Sequence, residues 1–430
     1  MHYVMLCDDM PGKSKFFRRD LEDKILPFLD RDEIIIVRGP RQSGKTTLMK
    51  IIANRIKYKK EFVDFDIPSN RLAVSESPVE YVRRLAGNWG LSLFFDEIQR
   101  LENAGELMKI IYDTFKGRVK IFATGSSSLE LKQRVLGALV GRAVVFELYT
   151  FGFGEFVRAI DEGLYKIFKE RNDSVFRFIE KGTEPLHKAL SNDLLMLWKE
   201  YIVYGGYPEV VKAKGSVLKE SLLDNLANLY LEKDIVSFFK IEDTKEFENF
   251  VKVLSFNDSQ ILKLSNIAND AGISFYKAKQ YLAILENTYI VKTVYPYFKN
   301  VATSIRKAPK LYFLDLGLRN IMLKNMLEYG KRDDIGKLAE NFVFTELERA
   351  GKSIRYWHTK SGAEVDFVLE EQGGIVPVEV KMGGSKALGK SFYSFIRTYK
   401  PKKALVITLD ELSKKVVNGT TVYSIPIFYL

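Results

Sequence analysis

The sequence predicts an α/β chain: a parallel sheet at the amino end, a helical middle, and a second α/β unit at the carboxyl end. Three observations carry this. Glu33-Ile-Ile-Ile-Val37 is a short apolar run dense in β-branched residues, as in a strand buried on both faces, and it leads through a glycine-containing turn into a helical pattern at Leu48, Ile51, Ile52 and Ile56. Residues 151–245 repeat apolar positions at helical spacing. After Gly351, strand-like runs at 353–358, 363–369 and 375–381 alternate with short polar or glycine turns.

Length and composition limit the chemistry. At 430 residues, with 46% hydrophobic and 28% charged content, the chain needs more than one core. One cysteine, Cys7, and three histidines, His2, His187 and His358, exclude a disulfide framework and a structural Cys/His zinc site. Almost no bases are left for a Ser/His/Asp arrangement. Chemistry here must run on carboxylates, lysines and backbone amides, which suit phosphate and hard cations. No run approaches the ~18 apolar residues of a membrane span, and Asp8 and Asp9 argue against a signal peptide. A cytoplasmic, reducing setting is expected. The net charge of +11 is uneven, with the positive excess in 1–60, 245–310 and 371–430 and the remainder net acidic.

Gly39-Pro40-Arg41-Gln42-Ser43-Gly44-Lys45-Thr46-Thr47 matches G-x-x-x-x-G-K-[ST] in the required strand–loop–helix context. Its N–H groups would wrap the nucleotide phosphates at the positive end of the following helix. Lys45 would reach the β- and γ-phosphates and the Thr46 hydroxyl would bind Mg²⁺. The run Leu91-Ser-Leu-Phe-Phe95 ends in Asp96-Glu97, a Walker B pattern: Asp96 for the metal, Glu97 to polarise the attacking water. Residues 61–66 read as a further strand, so the two Walker strands should be separated in the sheet. Val119 to Thr124 reads as the next strand, and Thr124 or Ser126 at its end would sense the γ-phosphate. Arg142, before the run Ala143 to Leu148, would contact phosphate in cis or from a neighbouring subunit; its alternative is a surface arginine.

The combination GPRQSGKTT, LFFDEIQ, ATGSSS with GRAVVFEL, and FGFGEF resembles the AAA+-related, STAND-like P-loop ATPases of archaea and bacteria. That resemblance implies a helical segment carrying a Gly-Gly-x-Pro element, present here as Tyr204-Gly-Gly-Tyr-Pro-Glu209, and a short following motif that Leu231-Glu-Lys-Asp-Ile235 resembles. It also implies a nuclease-like carboxy-terminal domain.

In the middle segment, 247–254, 264–271 and 274–286 read as three helices, with Ser274 capping the third. A strand at 289–294 follows. This is winged-helix spacing, with Phe275, Lys277, Lys279 and Gln280 near the start of the candidate recognition helix. The alternative is a winged helix used only for packing or protein contact.

In the carboxy-terminal segment, a helix opens at Gly336-Lys-Leu-Ala-Glu340, Gly336 leaving room for close backbone approach. Residues two apart in a strand face the same side, so Glu379 and Lys381 point together toward Asp366 on the preceding strand. Asp, Glu-x-Lys and an upstream helical Glu are the parts of a PD-(D/E)xK nuclease site. Asp366 and Glu379 would bind Mg²⁺, Glu340 would complete the shell, and Lys381 would orient or deprotonate water.

The expected fold is thus a P-loop NTPase with a parallel sheet (1–155), a helical linker or lid (156–244), a winged helix (245–310) and a restriction-endonuclease-like α/β domain (311–430). Expected cofactors are ATP and Mg²⁺; the expected partner is DNA, with no membrane, and with a homo-oligomer if Arg142 acts between subunits. The competing reading is a nucleotide-gated switch or scaffold that binds proteins and keeps a vestigial acidic site.

Overall fold

Strands β1 (Ile34–Arg38), β2 (Lys59–Asp64), β3 (Leu91–Asp96), β4 (Val119–Gly125) and β5 (Ala143–Glu147) form an all-parallel sheet in the order β2-β3-β4-β1-β5. The computed structural model describes residues 16–86, 90–126, 135–183, 191–229, 241, 243–298, 304, 307–383 and 388–430. Cys7, His2, His187 and the Leu231–Ile235 motif lie outside the described residues. The β-branched run of β1 is explained by two-sided burial. Ile34 and Ile36 enter one core with Leu93, Phe95 and Ile121, while Ile35 and Val37 enter the other with Leu48, Ile52 and Phe122. Phe62, Phe94 and Phe122 stack across β2, β3 and β4 with successive centroids 4.6 Å apart. The Walker strands β1 and β3 are separated as expected, but β4 separates them; β2 lies at the sheet edge.

Helices Phe153–Ile160, Glu162–Lys181 and Ser191–Tyr204 follow. Phe168, Trp198 and Tyr201 of these helices, with Phe153, share one core with Phe342, Phe367, Ile407 and Tyr423 of the carboxy-terminal unit. Apolar faces of these helices are covered by that unit.

The middle unit has helices Thr244–Phe256, Leu264–Ala271 and Phe275–Asn287, then the antiparallel pair β6 (Val291–Val294) and β7 (Lys310–Phe313). Ser274 caps the third helix by accepting from the Lys277 N–H at 3.2 Å. Ile261 adds a single bridge to Lys310. The expected boundary at 310/311 is therefore corrected, because it cuts through β7. Pairing and packing keep Leu311, Phe313 and Leu318 in the middle core.

The last unit opens with helix Ile335–Arg349. Strands β8 (Ser353–His358), β9 (Glu364–Glu371) and β10 (Gly374–Lys381) form an antiparallel meander. Helix Lys390–Tyr399 crosses to β11 (Lys403–Thr408), which runs parallel to β10, and β12 (Ser413–Val417) and β13 (Thr420–Pro426) complete the sheet. Gly336 has open space around it: a Cβ there would meet no atom within 4 Å, so it serves no close approach.

Gly205 and Gly206 do serve one. Gly205 ends helix Ser191–Tyr204 at φ 71°, and a Cβ there would lie 2.2 Å from Asp315 Oδ1. At Gly206 a Cβ would lie 2.2 Å from the Phe151 carbonyl oxygen. In their place backbone meets backbone. Phe151 N–H donates to Gly206 O at 2.8 Å, and Gly206 N–H donates to Asp315 Oδ2 at 2.9 Å. Asp315 also caps helix Leu316–Leu323 through Leu318 N–H. Gly206→Ala must push these segments apart, an overpacking cost of at least about 2 kcal/mol. Calorimetry should show its unfolding midpoint lowered by several degrees; an unchanged midpoint contradicts the close approach.

Candidate functional site

Two polar centres stand out, one at the carboxyl end of the parallel sheet and one in the carboxy-terminal unit. At the first, β1 delivers the loop 39–44 to helix Lys45–Arg55. Gly39 is required by packing, since a Cβ would lie 2.0 Å from the Leu148 carbonyl oxygen at the end of β5. Gly44 (φ 94°) and, at a strained position for a side-chain residue, Gln42 (φ 56°) are left-handed. Pro40, Arg41, Ser43 and Thr47 fall on this loop and first turn as expected. The Ser43 hydroxyl is buried with no partner.

Lys45 is 5% exposed and donates to the carbonyls of Gly39 (3.1 Å) and Pro40 (2.8 Å) of its own loop. Burial lowers the pKa of its ammonium, and Glu97 and Asp96 oppose that shift. The Thr46 hydroxyl donates to Asp96 Oδ2 at 2.6 Å, while Asp96 Oδ1 accepts from the Thr124 hydroxyl and from Glu97 N–H. A hydroxyl and a carboxylate oxygen side by side next to a phosphate-cradling loop suit Mg²⁺. Glu97 turns out of β3 at φ 53°, and its Oε2 accepts from the Ser126 hydroxyl at 3.0 Å and from the Gln99 amide. Both proposed sensors thus touch the Walker B pair: Thr124 through Asp96, Ser126 through Glu97.

Arg142 is not brought to this site. It lies next to Ala143, which pairs with Ile34 at the amino end of β1, while the loop follows the carboxyl end. Its guanidinium binds Asp113 in bidentate fashion at 2.8 and 3.0 Å. A cis role in nucleotide binding is therefore corrected: the strand length separates it from the loop.

Arg19 is the residue the pattern did not reveal. Buried at 4% exposure, it donates to the Ser43 carbonyl of the loop at 2.7 Å, to the Tyr149 carbonyl at 2.7 Å, and to both oxygens of Glu155 at 2.9 and 3.1 Å. It ties the phosphate loop to the segment leaving β5. That segment is in turn held by helix Ile335–Arg349: Phe153 N–H donates to Glu346 (3.3 Å), Tyr149 hydroxyl to Glu348 (3.1 Å), and Arg349 to Thr150 (3.2 Å).

The second centre lies toward the other end of that helix. The β9–β10 register runs to Phe367 opposite Val378, so its next step sets Asp366 opposite Glu379. Asp366 Oδ2 accepts from Val380 N–H at 2.7 Å. Burial, then Glu340 and Glu379, push the Asp366 carboxyl well above its ordinary range. Burial moves Glu379 up to about 7, with Lys381 and Lys310 opposing and Glu340 and Glu364 adding to the shift. Glu379 Oε2 is buried with no partner among the described residues. Glu340 Oε1 accepts from Lys310 Nζ at 2.8 Å and from the Tyr312 hydroxyl at 2.7 Å, both on β7, and Lys310 also pairs with Glu364. Burial opposes the charge on Lys310, but Glu340, Asp366 and Glu364 outweigh it and raise its pKa. The structure thus brings Asp366, Glu379, Lys381 and Glu340 together, and adds Lys310, Tyr312 and Glu364. Glu340 is not a vacant ligand, because Lys310 supplies the cation at its oxygen. Among the described residues, no three Asp, Glu, His or Cys side chains stand as a ready metal-binding group.

With this geometry in view, comparison with known proteins finds similarity in each unit. Residues 31–157 match a family model described as an AAA domain. Residues 195–328 and 335–428 match two models described as domains of unknown function, DUF8612 and DUF4143. An uncharacterized protein of Methanocaldococcus jannaschii is 27% identical over 380 residues, covering 84% of this chain and 76% of its own length. One of Haemophilus influenzae is 25% identical over 385 residues, covering 86% and 87%. A solved Walker-type ATPase of Pyrococcus abyssi is 14% identical and aligns over 72% of this chain and 96% of its own with a TM-score of 0.47. The match at 31–157 takes in all five parallel strands and the first five residues of helix Phe153–Ile160. No helix among the described residues is long and apolar enough to cross a membrane.

The carboxylate centre makes a signed pH prediction. A Glu379 pKa raised to about 7 stabilises the fold fully only below the unfolded value, and that stability is lost as pH rises through 7. With chelator present, the thermal midpoint should fall as pH rises from about 4.5 to about 7, and Glu379→Gln should shrink that fall. A fall of equal size in Glu379→Gln contradicts the assignment.

Proposed function

We propose that this protein is a Mg²⁺-dependent ATP hydrolase acting on DNA, through a winged helix at 244–313 and a PD-(D/E)xK nuclease-like carboxy-terminal unit. The observation that carries the reading is the pairing of two phosphate-suited centres in one chain: Thr46, Asp96 and Glu97 beside the loop, and Asp366, Glu379 and Lys381 on neighbouring strands. The order of the last unit, helix, three-strand meander, helix, parallel strand, supports the nuclease-like assignment. In the middle unit, three helices followed by a hairpin, with Ile261 bridging to Lys310, support a winged helix. Phe275, Lys279 and Gln280 on its third helix are exposed, while Lys277 is paired with Glu246 at 2.6 Å.

In this reading Lys45 leaves the Gly39 and Pro40 carbonyls to meet the nucleotide phosphates. Glu97, held by Ser126 and Gln99, orients water and takes up its proton. Thr46 and Asp96 would hold Mg²⁺, which when bound would supply charge neutralisation at the phosphates. At the second centre Asp366 and Glu379 are the metal-binding carboxylates and Lys381 positions water.

One observation favours the alternative of a nucleotide-gated switch or scaffold with protein partners: Lys310 and Tyr312 already occupy Glu340. Turnover and salt dependence separate the readings. Lys45→Ala should abolish ATP turnover, and Glu97→Gln should lower it by roughly 10²-fold or more while ATP still binds. Undiminished turnover in Lys45→Ala overturns the hydrolase assignment. Duplex binding that weakens steeply with salt supports DNA contact, and a flat response or no binding supports the scaffold.

A further inference from the structure

A cleft of about 970 Å³ runs between the loop and helix at 257–270, the approach to β7, and the end of β8. Its floor includes Lys310 and Glu364, so it opens directly beside the carboxylate centre. Four lysines line it, Lys263, Lys307, Lys310 and Lys360, against two carboxylates, Asp270 and Glu364. Lys310 and Glu364 neutralise one another. Lys263, Lys307 and Lys360 are exposed, come from three different chain segments, and face this one space. The walls are aromatic. Trp357 and Tyr399 meet edge to face at 6.3 Å, and Phe298 and Tyr399 are only partly buried.

Lysines that track a backbone, interleaved with rings that face the same space, match an unpaired strand rather than a duplex, whose base faces are already stacked. The exposed third helix of the middle unit, with Phe275 and Lys279, does not line this cleft. We propose that the cleft binds single-stranded nucleic acid, with Lys263, Lys307 and Lys360 on phosphates and Phe298 and Tyr399 against bases, and leads it to the Asp366–Glu379 centre. This rests on the nucleic-acid reading above and specifies the strand state that reaches its carboxylate site.

The test is fluorescence anisotropy with a labelled thymidine oligonucleotide and a duplex of equal length, in chelator so that cleavage plays no part. Three phosphate contacts predict a log K against log salt slope of about −2 for the single strand. The variant Lys263→Glu/Lys307→Glu/Lys360→Glu should lose roughly tenfold or more in single-strand affinity and most of that slope. It should keep its thermal midpoint and ATP turnover, which excludes misfolding. Wild-type affinity for the oligonucleotide in the triple variant overturns the proposal. Duplex binding without single-strand binding also overturns it and leaves the DNA reading standing. Failure to bind either ends both. Equal displacement of the oligonucleotide by polyglutamate would make the cleft a site for acidic chains and likewise overturn it.

Discussion

The structure depends on a place where no side chain fits. At Gly205 and Gly206 the backbone of the helical segment touches Phe151 of the strand exit and Asp315 of the middle unit at hydrogen-bonding distance. This contact joins three parts of the chain in one small volume. The Asn320 amide extends it by donating to the carbonyls of Ile202 and Val203 at 2.9 Å each. Once these segments are fixed, helix Ile335–Arg349 is packed against them with Phe342 inside the shared core. Glu346, Glu348 and Arg349 at its end hold the residues leaving β5, while Glu340 lies in the carboxylate centre. A single 15-residue helix therefore contributes to both regions.

The two centres handle buried charge by the same means. Lys45 rests on carbonyls of its own loop. The carboxylates of the second centre are compensated by Lys310, which arrives from the hairpin of the middle unit. In each case a polar group that suits a ligand is held by an internal partner, which limits the cost of burying an uncompensated charge. Glu379 Oε2, like the Ser43 hydroxyl of the first centre, is buried with no partner among the described residues, and it marks where the second centre is incompletely satisfied.

Much of this was legible because it is local. The β-branched run of β1, the glycine spacing before Lys45, the cap at Ser274, and the two-residue spacing of Glu379 and Lys381 are decided by neighbouring residues. What was not legible is long-range. Arg19 acts on Ser43 and Glu155, which are 24 and 136 residues away, and Lys310 meets Glu340 across 30 residues. A lone basic residue near a strand carries no pattern that names its partner. Arg142 was misplaced for the converse reason: a Gly-Arg before a strand does not say which end of the sheet it occupies. The boundary at 310/311 failed because the hairpin partner of β6 follows a long connection, and Gly336 because a glycine in sequence does not reveal what surrounds it.

The joining of a nucleotide-handling centre to a phosphate-cleaving one is the function proposed for this chain. It is tested most directly by incubating wild type and Asp366→Ala with linear and branched DNA in Mg²⁺ or Mn²⁺ and resolving the products on a gel. The account predicts cleavage by wild type and its loss in Asp366→Ala, with ATP turnover retained. Cleavage by Asp366→Ala equal to wild type, or no cleavage by either, would contradict it.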